Sequence, residues 1–363
     1  MTSRNDPNSP PRYAYVGSRT TRERNARGEG ISVYAIEADG QLRLMQVYGG
    51  LVNPSFLALN RERSRLYTVH GDGHEVSVLA IDPEHGTISL LQTQECGGLN
   101  PVHLALDPTE QWLLVSDHLG VGRQGGALLV MPVRPDGTLD PVIQRVEMTG
   151  TPGPHRKEQP HAKPHFNPFD PSGKFVVVPD KGFDRVFVFP FHDGRIDTAA
   201  QRWVDTRAGA GPRHIAFHPT LATAYVVNEL DSTVAAYRFD PATGGLSPFQ
   251  VLSTLPDSFT CNNTGSEIAI SRCGGQLYAS NRGHDSIAAF GVDSTTGRLT
   301  FQGATSSLGK TPRFFALEDE QSRMYVLNED SDSIIVFSTD STDGVTLDVI
   351  QQIESGSPVC LVI

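Results

Sequence analysis

His165, Arg213, Glu267 and Arg313 each stand near the start of a short apolar segment, in PHFNPF, PRHIAF, SEIAI and PRFFAL, at successive spacings of 48, 54 and 46 residues. A second set, Asp180 with Lys181, Glu229 and Arg282, closes the apolar segment that follows in each case: FVVVPDK, AYVVNE and LYASNR. An imidazole and a carboxylate can move a proton, and guanidinium and ammonium groups bind anions. An arginine at the head of an apolar strand is costly unless it faces water or an anion. Gathered in one place, these residues would suit acid–base chemistry on a small anionic substrate.

The spacing itself reveals the elements that must position them. The stretch GPRHIAFHPTLATAYVVNELDSTVAAY, from Gly211 to Tyr237, holds three β-prone runs separated by turn residues. Related units begin at Asn53, Asn100, Lys163, Gly265 and Thr311, and a fragment, SPVCLVI, closes the chain from Ser357. Each full unit reads as two apolar strands, a tight polar turn, a third strand, a Gly-containing turn and a fourth strand. Four strands recurring at this period predict an all-β, seven-bladed β-propeller with four-stranded blades. The first unit, from Tyr13, lacks an inner strand, so SPVCLVI is expected to complete it and lock the ring, leaving no open sheet edge.

In such a ring the inner strands line a central channel. The equivalent channel positions are Ser55, Val102, His165, Arg213, Glu267, Arg313 and Val359. The loops after the second strands return to the same face and carry His70, Asp117, Asp180, Glu229, Arg282 and Glu329. Asn228, Asn281 and Asn328 are expected to shape the tight turns, since asparagine tolerates left-handed backbone and bonds nearby backbone groups. His214 and His218 are expected to serve packing or turns, and Glu267 and Arg313 either to serve the channel site or to form an ion pair between blades.

The formal net charge of −11 argues against general nucleic-acid binding, so anions must be held by a local cationic cluster. The N-terminal residues carry no apolar signal segment, and no run is long enough to span a membrane. A cytoplasmic protein is the expectation, with residues 1–11 a disordered tail and residues 12–363 a single propeller domain. Cys96, Cys261, Cys273 and Cys360 show no CxxC spacing and are expected to be reduced, mostly buried thiols. His161 and His165 have HxxxH spacing, but Pro164 between them opposes the helix that would pair them, and no metal or cofactor is expected. The insertion TPGPHRKEQP, Thr151 to Pro160, reads as a solvated loop or a lid whose His155, Arg156 and Lys157 would add positive charge at the channel mouth.

GPRHIAFHP with AYVVNEL, GSEIAIS with LYASNRGHDSIAAF, DPSGKFVVVPDKGFDRVFVF and TPRFFALE with MYVLNEDSDSIIVF resemble the lactonase family of seven-bladed β-propellers, over nearly the whole chain. That family includes propeller-type 6-phosphogluconolactonases and carboxymuconate-lactonizing enzymes. The resemblance implies catalytic roles for His165, Arg213, Glu229 and Arg282, with Glu267, Arg313, Lys181 and Asp180 as substrate-binding candidates. One departure is visible: Lys163 and Pro164 precede His165 where many members carry a second histidine. The leading expectation is a hydrolase of a small anionic sugar lactone. A cycloisomerase acting on a polycarboxylate in the same pocket is the alternative, and a non-catalytic binding propeller a third reading.

Overall fold

The computed structural model describes residues 12–318, 322–340 and 344–363; the expected N-terminal tail lies outside them. Seven four-stranded antiparallel sheets form the blades. Blade 1 is the split one: Pro358–Val362 is its inner strand, followed outward by Tyr13–Ser18, Gly30–Ile36 and Leu42–Gly49. Val16 lies opposite Leu361 and Gly17 opposite Cys360, so the last strand of the chain pairs with the first, as expected. Blades 2 to 7 then follow in order, over residues 54–95, 101–147, 163–205, 212–253, 264–306 and 312–354.

The middle strands are apolar at nearly every position because each blade is sandwiched between two others. In blade 5, Thr223–Asn228 and Thr233–Asp240 are buried almost throughout. Side chains alternate across a strand, so Ala224 and Val226 pack with Phe175 and Val186 of blade 4, while Tyr225 and Val227 pack with Ile268 and Leu277 of blade 6. Seven such clusters occupy the seven joints between blades and complete the ring. The outer strands turn polar and exposed, as in Ile88–Glu95.

A recurring hydrogen bond stitches the joints. A buried tyrosine of a second strand donates to the carbonyl of a turn glycine in the next blade: Tyr15 to Gly86 (3.1 Å), Tyr67 to Gly137 (2.8 Å), Tyr225 to Gly297 (2.8 Å) and Tyr278 to Gly344 (3.3 Å). Those glycines have φ between 64° and 86°, the left-handed region where glycine carries no Cβ penalty.

Three local expectations are corrected. Asn228 and Asn328 end their strands and Asn281 stands one residue before the end of its own, all without left-handed backbone; the left-handed residues are Ser232, Asp285 and Asp332. The asparagines close the turn with their side chains, Asn228 Nδ2 donating to Thr233 Oγ1 and Asn328 Nδ2 to Ser333 Oγ. The inner segment of blade 4 is not a regular strand. Pro164 and Pro168 remove N–H donors from it, and it is held by isolated bridges, Pro164 to Asp180 and Phe169 to Val176. Of the cysteines, Cys96 and Cys360 are buried, but Cys261 and Cys273 are exposed.

Candidate active site

The inner strands present their functional side chains through a repeated irregularity. Pro212 lies opposite Asn228 and His214 opposite Val227, leaving Arg213 as an extra residue in the ladder. The same slip occurs at Ser55, Val102 and Arg313, and between Gly265 and Ile268. A bulge of this kind breaks strict alternation and re-aims side chains. Arg213 and His214 therefore both face the axis, as do Ser55 with Phe56 and Arg313 with Phe314. All seven channel positions read from the repeat line one narrow cavity of about 10 Å³, joined by Arg19, Phe56, His214 and Phe314.

On one wall three side chains form a hydrogen-bonded chain. Glu267 Oε1 receives the backbone N–H of Ile268 (3.0 Å) and lies 2.9 Å from His214 Nδ1. Burial pushes Glu267 up to about 7 against the pull of Arg213. As a carboxylate, or protonated on its unpartnered Oε2, it leaves Oε1 an acceptor, so His214 Nδ1 must carry a proton. Burial, reinforced by Arg213 and Arg313, holds His214 far below its ordinary pKa, so the ring is neutral and its Nε2 is an acceptor. His165 Nδ1, 3.2 Å from that Nε2, is then the donor. His165 is also held well below its usual pKa, first by burial and then by Arg213. Its remaining nitrogen, Nε2, therefore carries a lone pair.

Facing this chain is a cluster of cations around one carboxylate. Glu229 contacts Lys181 Nζ at 3.1 Å, Arg213 Nε at 3.3 Å and Arg282 Nη2 at 3.4 Å. Burial alone would raise its pKa, but Lys181, Arg282 and Arg213 together hold it well below the carboxylate range. Arg213 donates to the Ser266 carbonyl and Arg282 to that of Gly265, which fixes both guanidiniums. Several buried polar atoms lack hydrogen bonds, among them the Nε of Arg19, Arg213 and Arg282, Arg19 Nη1, Ser55 Oγ and Glu267 Oε2. Such atoms cost about 1–3 kcal/mol each.

The structure thus brings His165, Arg213, Glu229, Arg282, Lys181, Glu267 and Arg313 together, with different partners from some of those expected. Arg313 reaches Glu329 at 3.7 Å and Glu267 pairs with His214, so the Glu267–Arg313 ion pair does not form. Asp180 lies in the same region, but its carboxylate accepts the backbone N–H groups of Lys163 (2.9 Å) and Phe183 (2.8 Å) and holds the loop that carries Lys181. In the insertion, His155, Arg156 and Lys157 are exposed, and it is Glu158 that reaches inward, 3.3 Å from Lys181 Nζ and 3.9 Å from Lys163 Nζ. Gln159 anchors the loop by donating to the Lys181 carbonyl and to Asp184.

Three participants escaped the sequence reading. His214 reads in sequence as a packing or turn residue, but the bulge at Arg213 brings it to the axis. Its signal was the aromatic column formed by Phe56, His103, Phe166, His214 and Phe314 at equivalent repeat positions. Arg19 follows the second strand of blade 1 and is the seventh member of the series that runs from His70 to Glu329. His118, with its ring 5.3 Å from that of His165, places a further imidazole beside His165, on a blade 3 loop. Below the polar groups the aromatic column fills the axis. His103 lies 4.0 Å from Phe166 and 4.3 Å from Phe56, and Phe166 stacks on His214 at 4.1 Å.

Fold and cavity together define a closed seven-bladed propeller whose channel ends in an aromatic plug, with imidazole, carboxylate and guanidinium groups above it. The pattern described as lactonase, 7-bladed beta-propeller matches residues 13–363, and the chain belongs to that family. A 6-phosphogluconolactonase of Bacillus subtilis is 34% identical over 310 residues, covering 84% of each chain. A 6-phosphogluconolactonase of Formosa agariphila is 29% identical over 318 residues, covering 84% of this chain and 86% of the other. Among solved structures, the periplasmic gluconolactonase of Pseudomonas aeruginosa superposes with a TM-score of 0.86 at 27% identity, covering 96% of this chain and 98% of that one.

Proposed function

We propose that this protein hydrolyses a small anionic sugar lactone, 6-phosphogluconolactone being the substrate best matched, and that the reaction takes place in the central channel. The observation that carries this reading is the juxtaposition of a neutral His165 and Arg213 on one cavity, with Arg213 joined through Glu229 to Arg282 and Lys181. The B. subtilis and F. agariphila relatives bear the matching name.

In this mechanism His165 Nε2 takes a proton from a water molecule as its oxygen adds to the lactone carbonyl carbon. Arg213 stabilises the developing oxyanion, an effect worth about 3 kcal/mol for a preorganised donor. Collapse breaks the ring C–O bond, and imidazolium His165 returns the proton to the leaving ring oxygen. The products are the open hydroxy acid, as its carboxylate, and one proton. Glu229, ionised and surrounded by cations, is a poor base and serves to hold Arg213, Arg282 and Lys181 in register. Arg282 and Lys181, both paired with Glu229, supply positive charge beside Arg213, and Asp180 positions Lys181. A cytoplasmic setting belongs to the same reading, since reduced thiols such as the exposed Cys261 persist there.

Acid release from 6-phosphogluconolactone, measured in a weakly buffered pH-stat, tests the proposal. His165→Ala should lower kcat by about 10²–10⁴ and Arg213→Ala by about 10²–10³. Wild-type rates in both variants would sink the assignment, and loss of diene absorbance on mixing with a carboxymuconate would establish the cycloisomerase instead.

A further inference from the structure

Of the cations around Glu229, Arg213 lines the cavity; a second donor group lines another part of its wall. Arg19 is 3% exposed, yet its Nε and Nη1 make no hydrogen bond, and Glu329 Oε1 lies 3.9 Å from Nε. Ser55 Oγ is also buried and unpartnered. A Cβ on Gly71 would sit 2.1 Å from Arg19 Nη1 and 2.8 Å from Ser55 Oγ, so the absence of a side chain there lets the guanidinium and the hydroxyl come together at the cavity wall. Arg313, on the same cavity wall, shares Glu329 as its counter-ion at 3.7 Å. Nearby, Arg24 and Asp72 satisfy each other. One carboxylate therefore stands against two guanidiniums, leaving an excess positive charge and unused donors.

We infer that Arg19, Ser55 and Arg313 form an oxyanion subsite that receives the phosphate group of a phosphorylated sugar lactone, a deepening that rests on the lactonase reading above. A guanidinium donates through a planar fork suited to phosphate oxygens, and the hydroxyl adds a donor from a second direction. Both arginines at this wall pair with Glu329, and an anion would use the Nε and Nη1 of Arg19, which make no hydrogen bond. The subsite lies on the same cavity as His165 and Arg213, so phosphate held there would fix the ring relative to the proposed base. Ring closure itself places Arg19: its backbone N–H donates to the Ser357 carbonyl at 3.0 Å, just before the closing strand.

Calorimetric titration of the whole protein with inorganic phosphate tests the subsite. Wild type should bind, Arg19→Met should weaken binding tenfold or more, and Ser55→Ala by about threefold. Ser55→Ala deletes a single oxygen and keeps the test decisive should Arg19→Met fail to fold. Unchanged affinity in Ser55→Ala and in any folded Arg19→Met, or no binding by the wild type in the millimolar range, overturns the subsite. Malonate binding more tightly than phosphate overturns the phosphate assignment. In kinetics, Arg19→Met should lower kcat/KM for the phosphorylated lactone at least tenfold more than for the unphosphorylated one, and equal losses count against the proposal. Should the wild type open neither lactone, the proposed activity falls while the phosphate titration still decides the subsite.

Discussion

His214 has no place in the reacting set except through His165, and that makes its removal informative. His214→Phe keeps a ring to stack on Phe166 but deprives His165 Nδ1 of its acceptor. The expected result is a fall in kcat of about tenfold or more with KM little changed, because base strength and tautomer are affected rather than substrate contacts. Imidazole nitrogen shifts in NMR should show His165 changing from one fixed tautomer to a mixture; a variant with wild-type kcat and shifts would remove His214 from the mechanism. The pH profile tests the same chain. With His165 held well below its ordinary pKa by burial and Arg213, the base stays unprotonated as pH falls through 6.5. The acid limb of kcat/KM should therefore lie below the usual histidine range, and a limb centred at or above 6.5 would contradict the assignment. His165 and Arg213 were legible from repeat position, whereas the hydrogen bond that activates one of them was not.

At the scale of the blade, the tyrosine-to-glycine bond between neighbours is the feature most open to measurement. Tyr225→Phe deletes the bond to Gly297 while preserving the buried ring, and should cost about 1 kcal/mol, or slightly more because the Gly297 carbonyl is left in a buried contact. Chemical denaturation with an unchanged slope would report it, and no change in midpoint would mean that solvent replaces the hydroxyl. The strands themselves follow from apolar runs and turn residues, which local chemistry sets. The bulges do not. Whether Arg213 alone or Arg213 and His214 together face the axis depends on a one-residue slip against Asn228 and Val227, a property of the pair of strands rather than of either sequence. The same limit explains blade 4, where Pro164 and Pro168 were visible but their effect on the ladder depended on what lay opposite.

For the molecule as a whole, closure and protonation are the testable properties. Deleting Pro358–Ile363 removes the inner strand of blade 1, exposes the Tyr13–Ser18 edge and takes Cys360 and Leu361 out of two core clusters. A large loss of thermal stability, with aggregation through the open edge, is expected; unfolding at the wild-type temperature would show that the ring does not need its lock. Acid should weaken the fold as well. His103, His118, His165 and His214 all have pKa values depressed in the fold, primarily by burial, so unfolding takes up protons once pH drops below their unfolded value of about 6.5. Asp180 and Glu267, each raised to about 7 by burial, act in the opposite sense between roughly pH 4 and 7. Four groups against two leave a net proton uptake on unfolding, so the melting temperature should fall between pH 6.5 and 5.

By itself the sequence determined the number of blades, the split blade and the channel positions of Arg213, Glu267 and Arg313, because a strand period and a repeat period are local and additive. Only the tertiary structure decided which of those charges became partners. Glu267 turned to His214 rather than Arg313, Glu158 reached in from the insertion where its basic neighbours stayed outside, and Arg19 arrived from the blade joined across the chain ends. Partner choice among buried charges depends on distances of a few ångströms between segments far apart in the chain. The template from Gly211 to Tyr237 carries Arg213, His214 and Glu229, but their partners are supplied by the neighbouring blades.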